Sequence, residues 1–116
     1  TTVAIEVSQN RNFESLILIT PLTTGREMGE VVAPIIASIA MDSFDSRSKI
    51  ENIISPTMII HGDLDKTIPI AMGYDLYNRL KVTEKEFVEI KGGGHNDIQD
   101  VNPYLFWGTM FKFLKL

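Results

Sequence analysis

The sequence predicts an α/β fold in which helices cover a short parallel sheet on both faces. Two apolar runs, at residues 15–20 and 57–61, are typical of strands buried on both sides, and residues 86–90 are predicted to form a third strand. Between them lie stretches whose apolar residues recur at helical spacing. Alternating strands and helices need crossover connections, which place the strands parallel to one another. We therefore expect residues 1–116 to form one three-layer unit with about three strands.

The first half of the chain is predicted to contain two long helices around one strand. Residues 1–11 carry an apolar stripe that favours a helix, and the first strand ends at Pro21. Residues 27–40 also show helical spacing, with Pro34 as the site of a kink. A short helix and loop are expected over residues 42–54, before the second strand.

The second half follows the same alternation. Gly62 ends the second strand, and Pro69 is placed to open the next helix in its first turn. The inner face of that helix is predicted to consist of Met72, Leu76, Tyr77 and Leu80. Pro103 begins a last helix after the third strand. Its broad apolar face is expected to lie in the core and comprises Phe106, Trp107, Met110, Phe111, Phe113 and Leu114.

The composition argues against two classes of function. Hydrophobic residues make up 44% and charged residues 22% of the chain, as in ordinary globular domains. A net charge of −4 with scattered basic residues argues against nucleic-acid binding, which needs clustered lysine and arginine. The longest apolar stretch, residues 31–41, is too short to span a bilayer, so no transmembrane segment is expected.

Cysteine is absent, which excludes a disulfide, a thiolate nucleophile and a cysteine-based metal site within this chain. Together with the lack of a recognisable signal peptide, this favours the cytoplasm. The chain begins with Thr1 rather than methionine and enters an apolar pattern at once. We therefore interpret it as part of a longer protein, in which a signal upstream would change the expected compartment.

Two polar segments follow neighbouring strands of the predicted sheet. The segment His-Gly-Asp-Leu-Asp at 61–65 ends the second strand, and Gly-Gly-Gly-His-Asn-Asp at 92–97 follows the third. Ligands and catalytic groups of parallel sheets lie outside the carboxyl ends of the strands. Because neighbouring strands are about 4.8 Å apart, an aspartate from one loop can reach a histidine from the next. A carboxylate that accepts from the imidazole N–H makes the histidine a usable general base.

The glycine run before His95 also needs an explanation, because each glycine loses more backbone entropy on folding than any other residue. A flexible turn that happens to end in histidine is one interpretation. The other is that a side chain at Gly92, Gly93 or Gly94 would block the turn that brings His95 over the edge of the sheet.

The sequences SPTMIIHGDLDKTIPI and KEFVEIKGGGHND resemble the C-terminal part of α/β-hydrolase-fold serine hydrolases. In that family one strand ends in His-Gly-x-x-Asp, and the next runs into a Gly-x-Gly-His segment. The overall pattern is closest to the lysophospholipase-like, depalmitoylase-like and peptidase-like branch with a short cap. The resemblance implies that Asp65 is the acid and His95 the base of a catalytic triad. It also implies a cap-like insertion over about residues 26–54 and an acyl substrate, without a cofactor.

The chain departs from this family pattern at the nucleophile. The family's serine lies in Gly-x-Ser-x-Gly, and no serine of this chain has glycines two residues away on both sides. The resemblance therefore places the nucleophile immediately before Thr1, and the oxyanion-hole donors upstream as well. We expect a parent protein that cleaves an ester, thioester or amide, and an isolated chain that is inactive.

Several alternatives remain open at the level of sequence. Asp63 is the rival of Asp65, and His61 is expected to hydrogen-bond the loop rather than react. Asn96 and Asp97 could cap the next helical turn, or Asp97 could touch the site. A metal-dependent hydrolase would use His61, Asp63, Asp65 and His95, which are all ligand types. A non-catalytic half-domain that forms homo-oligomers through its open sheet edge is the third class.

Overall fold

The computed structural model describes residues 2–21 and 46–116. These residues form a three-stranded parallel sheet in the order β1-β2-β3, with strands Leu16–Ile19, Thr57–Gly62 and Lys85–Ile90. Leu18 is in register with Ile59, which in turn is in register with Phe87. The strands agree with the prediction to within a residue at each end.

The described part of the chain contains five α-helices and one 3₁₀ turn, Ile50–Asn52. The helices are α1 Thr2–Ser8, α2 Ser46–Lys49, α3 Ile70–Arg79, α4 Ile98–Val101 and α5 Pro103–Phe113. The helix predicted over residues 27–40 and most of the cap-like insertion lie outside the described residues. The sequence predicts the helix α4, one turn long, only as a helical turn after Asn96 and Asp97.

The structure corrects the predicted end of the first helix and the predicted start of α3. The first helix ends at Ser8 rather than near residue 11, since Asn10 adopts a left-handed conformation and Gln9 forms a β-bridge with Ile53. Pro69 does not occupy the first turn of α3. It is the residue that precedes the helix, with an extended ψ of 139°.

Alternate residues of the strands face two separate parts of the core. On one face, Leu18 and Ile59 pack with α1, the 3₁₀ turn and α3 through Ile5, Ile50, Ile53, Leu76 and Leu80. On the other, Met58 and Ile60 of β2 and Val88 and Ile90 of β3 pack with α4 and α5 through Ile98, Phe106 and Phe113. The predicted three-layer arrangement is confirmed, with one helical layer on each face of the sheet.

The prediction that all the large apolar residues of the last helix are buried is wrong. Phe106 and Phe113 lie in the core, but Trp107 is 45% exposed and Phe111 is 47% exposed. Leu114, just past the end of α5, is exposed as well. Positions 106 and 113 are two helical turns apart and face the sheet, whereas 107 and 111 lie on the neighbouring stripe of the helix. The Trp107 ring lies 6.1 Å from that of Phe111 and 5.0 Å from that of Phe106, between centroids.

None of the helices in residues 2–21 and 46–116 is long and apolar enough to cross a membrane. Because the three strands are parallel, the loops that follow β2 and β3 leave the same edge of the sheet. This edge carries both polar segments singled out in the sequence.

Candidate active site

Asp65 and His95 come together at the carboxyl ends of strands β2 and β3. The Asp65 Oδ2 atom lies 3.0 Å from His95 Nδ1, a hydrogen-bond distance across 30 residues of sequence. The Asp65 side chain is fully buried, and the His95 side chain is 32% exposed. The arrangement therefore joins an enclosed carboxylate to an imidazole that solvent or a substrate can reach.

The loop after β2 fixes the orientation of the Asp65 carboxylate. Its Oδ1 atom accepts from the backbone N–H groups of Thr67 at 2.9 Å and of Ile68 at 2.7 Å. An aspartate that accepts from the amide two residues later forms an Asx turn, so the local sequence itself favours this geometry. With Oδ1 occupied in this way, Oδ2 faces His95.

The loop after β3 turns through Gly92. This residue has a φ of +79°, a conformation that side-chain-bearing residues rarely adopt. Gly93 is tightly enclosed, because a Cβ there would lie 3.0 Å from the Ile90 carbonyl oxygen. These two positions support the interpretation that the glycines shape the turn before His95. At Gly94 the nearest atom to an added Cβ would be a side-chain oxygen of Asp97, which is a weaker restriction.

The two loops are joined to each other as well as to the sheet. Asp63 Oδ1 accepts from the Gly92 N–H at 2.7 Å, and the Leu64 N–H donates to the Gly93 carbonyl at 2.9 Å. Gly62 lies so close to Gly93 that a Cβ on Gly62 would stand 2.2 Å from the Gly93 carbonyl oxygen. The loop that holds the carboxylate and the loop that holds the imidazole thus support one another.

The structure places the remaining candidates outside the Asp65–His95 contact. Asp63 points to the backbone of the glycine loop, away from His95. Asp97 Oδ1 accepts from the Gly94 N–H at 2.6 Å, so it closes the turn that carries His95. Asn96 is exposed. Asp97 precedes α4 but makes no side-chain bond to the first turn of that helix, so the expected cap is replaced by this turn contact.

His61 is fully buried at the end of β2. Its Nε2 atom lies 2.7 Å from the carbonyl oxygen of Ile68 and 3.6 Å from Asp65 Oδ2. The predicted contact between His61 and the loop is therefore observed. Burial lowers the pKa of His61 below its ordinary value of 6.5, because the charged form would lose its hydration. The neighbouring Ile68 carbonyl and the Asp65 carboxylate oppose that shift.

Of the four residues of the metal alternative, His61, Asp65 and His95 lie close together, but their contacts are hydrogen bonds and ion pairs rather than a shared metal-binding arrangement. Within residues 2–21 and 46–116, no group of three or more histidine, aspartate or glutamate side chains is arranged to hold a metal ion. Asp63 and His61 are each engaged by backbone groups of the loops, as described above. The donor geometry thus gives this alternative no support.

Sequence reasoning missed two features that position the site. The amides of Thr67 and Ile68 could have been inferred from the Asp-x-Thr spacing, which favours an Asx turn. The second feature is Gly73 on α3, where a Cβ would lie only 2.5 Å from His61 Nδ1. No local pattern indicates it, because the close approach depends on how α3 packs on the sheet.

Sequence comparisons find relatives among α/β-hydrolase domain-containing proteins. The chain is 30% identical over 105 residues to α/β-hydrolase domain-containing protein 17B of Homo sapiens. This match covers 90% of the chain and 35% of the human protein. It is 29% identical over 105 residues to the protein aho-3 of Caenorhabditis elegans, over 90% of this chain and 31% of that protein. No profile of a protein family matches the sequence.

Structural comparison finds enzymes whose fold is similar to that of this chain. An esterase of Pyrococcus furiosus superimposes with a TM-score of 0.76 over 97% of this chain and 48% of the esterase, at 18% identity. The chain has the α/β-hydrolase fold. An acylaminoacyl peptidase of Pyrococcus horikoshii matches this α/β-hydrolase unit with a TM-score of 0.68, at 15% identity, over 89% of this chain and 19% of the peptidase. The chain spans about a third of the length of the curated relatives it matches.

Proposed function

We propose that this chain supplies the acid and the base of a Ser-His-Asp hydrolase that cleaves an ester, thioester or amide. The observation that carries the proposal is the 3.0 Å contact between the buried Asp65 Oδ2 and the half-exposed His95 Nδ1. Its position at the carboxyl edge of a parallel sheet is where α/β enzymes place their chemistry.

The contact determines what the imidazole can do. A carboxylate only accepts hydrogen bonds, so the His95 proton resides on Nδ1, and Nε2 is left as the basic atom. Within the described part of the chain, Nε2 makes no hydrogen bond. In the proposed reaction, Nε2 takes the proton of a serine hydroxyl as that oxygen attacks the carbonyl carbon. It then gives the proton to the leaving alcohol, thiol or amine.

The role proposed for Asp65 is orientation and charge stabilisation. Two backbone amides hold its Oδ1 atom, so the carboxylate does not have to reorganise when the imidazolium forms. The negative charge of Asp65 next to Nδ1 stabilises the His95 imidazolium that forms in the transition state. The Asp65 carboxylate does not itself become protonated.

The nucleophile is proposed to lie outside these 116 residues. The sequence contains no Gly-x-Ser-x-Gly, the strand-to-helix turn that exposes the serine in α/β hydrolases. The oxyanion-hole donors, which include the amide after that serine, are proposed to lie outside these residues as well. The cap that would shape an acyl pocket was predicted over about residues 26–54, largely outside the described residues.

A fluorophosphonate probe tests the proposal on the complete polypeptide, because it reacts covalently with an activated serine. We expect labelling of one serine in Gly-x-Ser-x-Gly, loss of labelling in His95→Gln, and near-normal labelling in Asp63→Asn. Activity that resists the probe but is lost to a chelator would instead support a metal-dependent hydrolase and overturn the proposal.

A further inference from the structure

The chain has two histidines, and the proposed reaction uses His95 but not His61. It is 0% exposed, and its Nε2 atom lies 2.7 Å from the Ile68 carbonyl oxygen. A carbonyl oxygen can only accept a hydrogen bond, so Nε2 must be the nitrogen that carries the proton. A buried imidazole in this tautomer donates its single N–H to a single acceptor, here the Ile68 carbonyl oxygen.

The other ring nitrogen explains why this tautomer is fixed. His61 Nδ1 is enclosed and has no hydrogen-bond partner among the described residues. It lies against Gly73, where even a Cβ would approach to 2.5 Å. A proton on Nδ1 would therefore be buried without an acceptor, which is unfavourable whether the ring is neutral or charged.

The Ile68 peptide links His61 to the proposed site. Its carbonyl accepts from His61 Nε2, and its own N–H donates to Asp65 Oδ1 at 2.7 Å. His61 Nε2 is also 3.6 Å from Asp65 Oδ2, so the positive end of the N–H dipole lies near the carboxylate. His61 therefore interacts with Asp65 in two ways, through the shared Ile68 peptide and through its own Nε2–H near Asp65 Oδ2.

We propose that His61 is a positioning residue for the Asp65–His95 pair. Its Nε2–H holds the Ile68 peptide in place, so that the Asp65 carboxylate keeps Oδ2 directed at His95. In this role His61 acts only through Asp65 and takes no part in proton transfer.

A neutral residue suits this position better than a cation. The charged or titratable groups near His61 are Asp65 on its own loop and His95 on the neighbouring one. A protonated His61 would repel the His95 imidazolium that the proposed reaction forms, whereas an N–H dipole orients the carboxylate without that repulsion. This catalytic consequence rests on the proposed function. The positioning itself does not.

The first measurement determines the tautomer of His61 in the unsubstituted protein. The complete polypeptide is labelled with ¹⁵N-histidine, and NMR of the ring nitrogens identifies the tautomer, with assignment from the signals lost in His61→Gln and His95→Gln. We expect His61 to be neutral and protonated at Nε2 throughout the range in which an exposed histidine titrates. A His61 protonated at Nδ1, or one that titrates as an exposed histidine does, overturns the proposal.

Three variants then separate positioning from packing. His61→Met keeps similar bulk but removes the donor, whereas His61→Gln can place an N–H near the position of Nε2. We expect the hydrogen-bonded Nδ1 proton of His95 to disappear in His61→Met and to persist in His61→Gln. Ile53→Val, in the core on the α3 face, is the control for general destabilisation and should keep the signal. If His61→Met does not fold, His61→Asn replaces it, since its shorter amide cannot reach the Ile68 carbonyl.

Kinetics distinguish failure of this inference from failure of the proposed function. In a complete protein that reacts with fluorophosphonate, His61→Met should lower kcat about 10- to 100-fold with little change in KM. His61→Gln should restore most of this loss. Unchanged kcat and an unchanged His95 proton in His61→Met overturn the inference alone. A protein that shows the expected NMR behaviour but no probe-reactive serine overturns the proposed function alone.

Discussion

Gly62 faces the backbone of Gly93 at a distance that leaves no room for a side chain. A Cβ on Gly62 would lie 2.2 Å from the Gly93 carbonyl oxygen and 2.6 Å from its carbonyl carbon. The same carbonyl accepts from the Leu64 N–H, so it cannot move away without losing that bond. This approach brings the loop after β2 against the loop after β3.

Gly62→Ala should therefore destabilise the protein by at least about 2 kcal/mol, because backbone rather than a flexible side chain has to shift. Urea unfolding measures the change in the free energy of unfolding. Gly108→Ala is the matched control. Gly108 lies inside α5 with no atom within 4 Å of an added Cβ, so alanine should stabilise by up to about 1 kcal/mol. Equal effects of the two substitutions would contradict the tight approach of the loops.

Asp65→Asn should lower kcat of the complete protein by about 10⁴-fold, because an amide next to Nδ1 favours the wrong tautomer of His95. Asp63→Asn should cost about tenfold or less, since its side-chain oxygen can still accept from the Gly92 N–H. Steady-state kinetics on one ester substrate compares the two. A reversed order of effects would assign the acid to Asp63.

The 116-residue chain alone should not hydrolyse a p-nitrophenyl ester faster than free imidazole does. In a serine protease, loss of the nucleophile alone costs on the order of 10⁶ in rate. Initial rates of the purified chain and of His95→Ala measure this directly. Substantial turnover that His95→Ala abolishes would mean that the nucleophile lies within these residues.

The isolated chain should form dimers or larger oligomers through strand β1. The Leu16 N–H donates to the carbonyl of Pro56, just before β2, and the Thr20 N–H to that of Ile60 in β2. By alternation the Ile17 N–H points away from β2. An apolar edge strand without proline or charge recruits other chains. Sedimentation at micromolar concentration should show association, and Ile17→Pro should reduce it without removing a β1–β2 bond. A monomeric chain would be evidence against this role of β1.

The free energy of unfolding should fall as the pH drops below about 6.5, in part because of His61. Burial lowers the pKa of His61 in the folded state, so below its ordinary value of 6.5 the unfolded state binds more protons. Stability is therefore full above this pH and is lost as the pH falls, by at most about 1.4 kcal/mol per pH unit. Chemical denaturation across this range should show a smaller slope for His61→Gln. Gly108→Ala should shift the curve and keep the slope.

The sequence predicted the strands and the location of the polar segments well, for physical reasons. Buried parallel strands are continuous apolar runs, and the order of elements determines which loops share an edge of the sheet. The proximity of Asp65 and His95 followed from that topology together with the family resemblance. Their catalytic roles stay predictions.

The exposure of Trp107 and Phe111 could not be predicted, because large apolar residues occupy more than one stripe of α5. Periodicity identifies a helix with apolar residues, but contact with the sheet decides which stripe is buried. The enclosure of His61 Nδ1 by Gly73 was unpredictable for a related reason. It depends on the distance between a helix and a strand, which no short stretch of sequence specifies.

The bonds that join Asp63 to Gly92 and Leu64 to Gly93 have a consequence for protein engineering. A directed-evolution library that randomises only one of the two loops removes residues to which the unchanged loop is hydrogen-bonded. Exchange between homologous proteins faces the same difficulty, so a chimera should carry both segments from one parent. Recombination crossovers placed before β2 or after α4 keep the pair intact, and those placed inside α3 divide it.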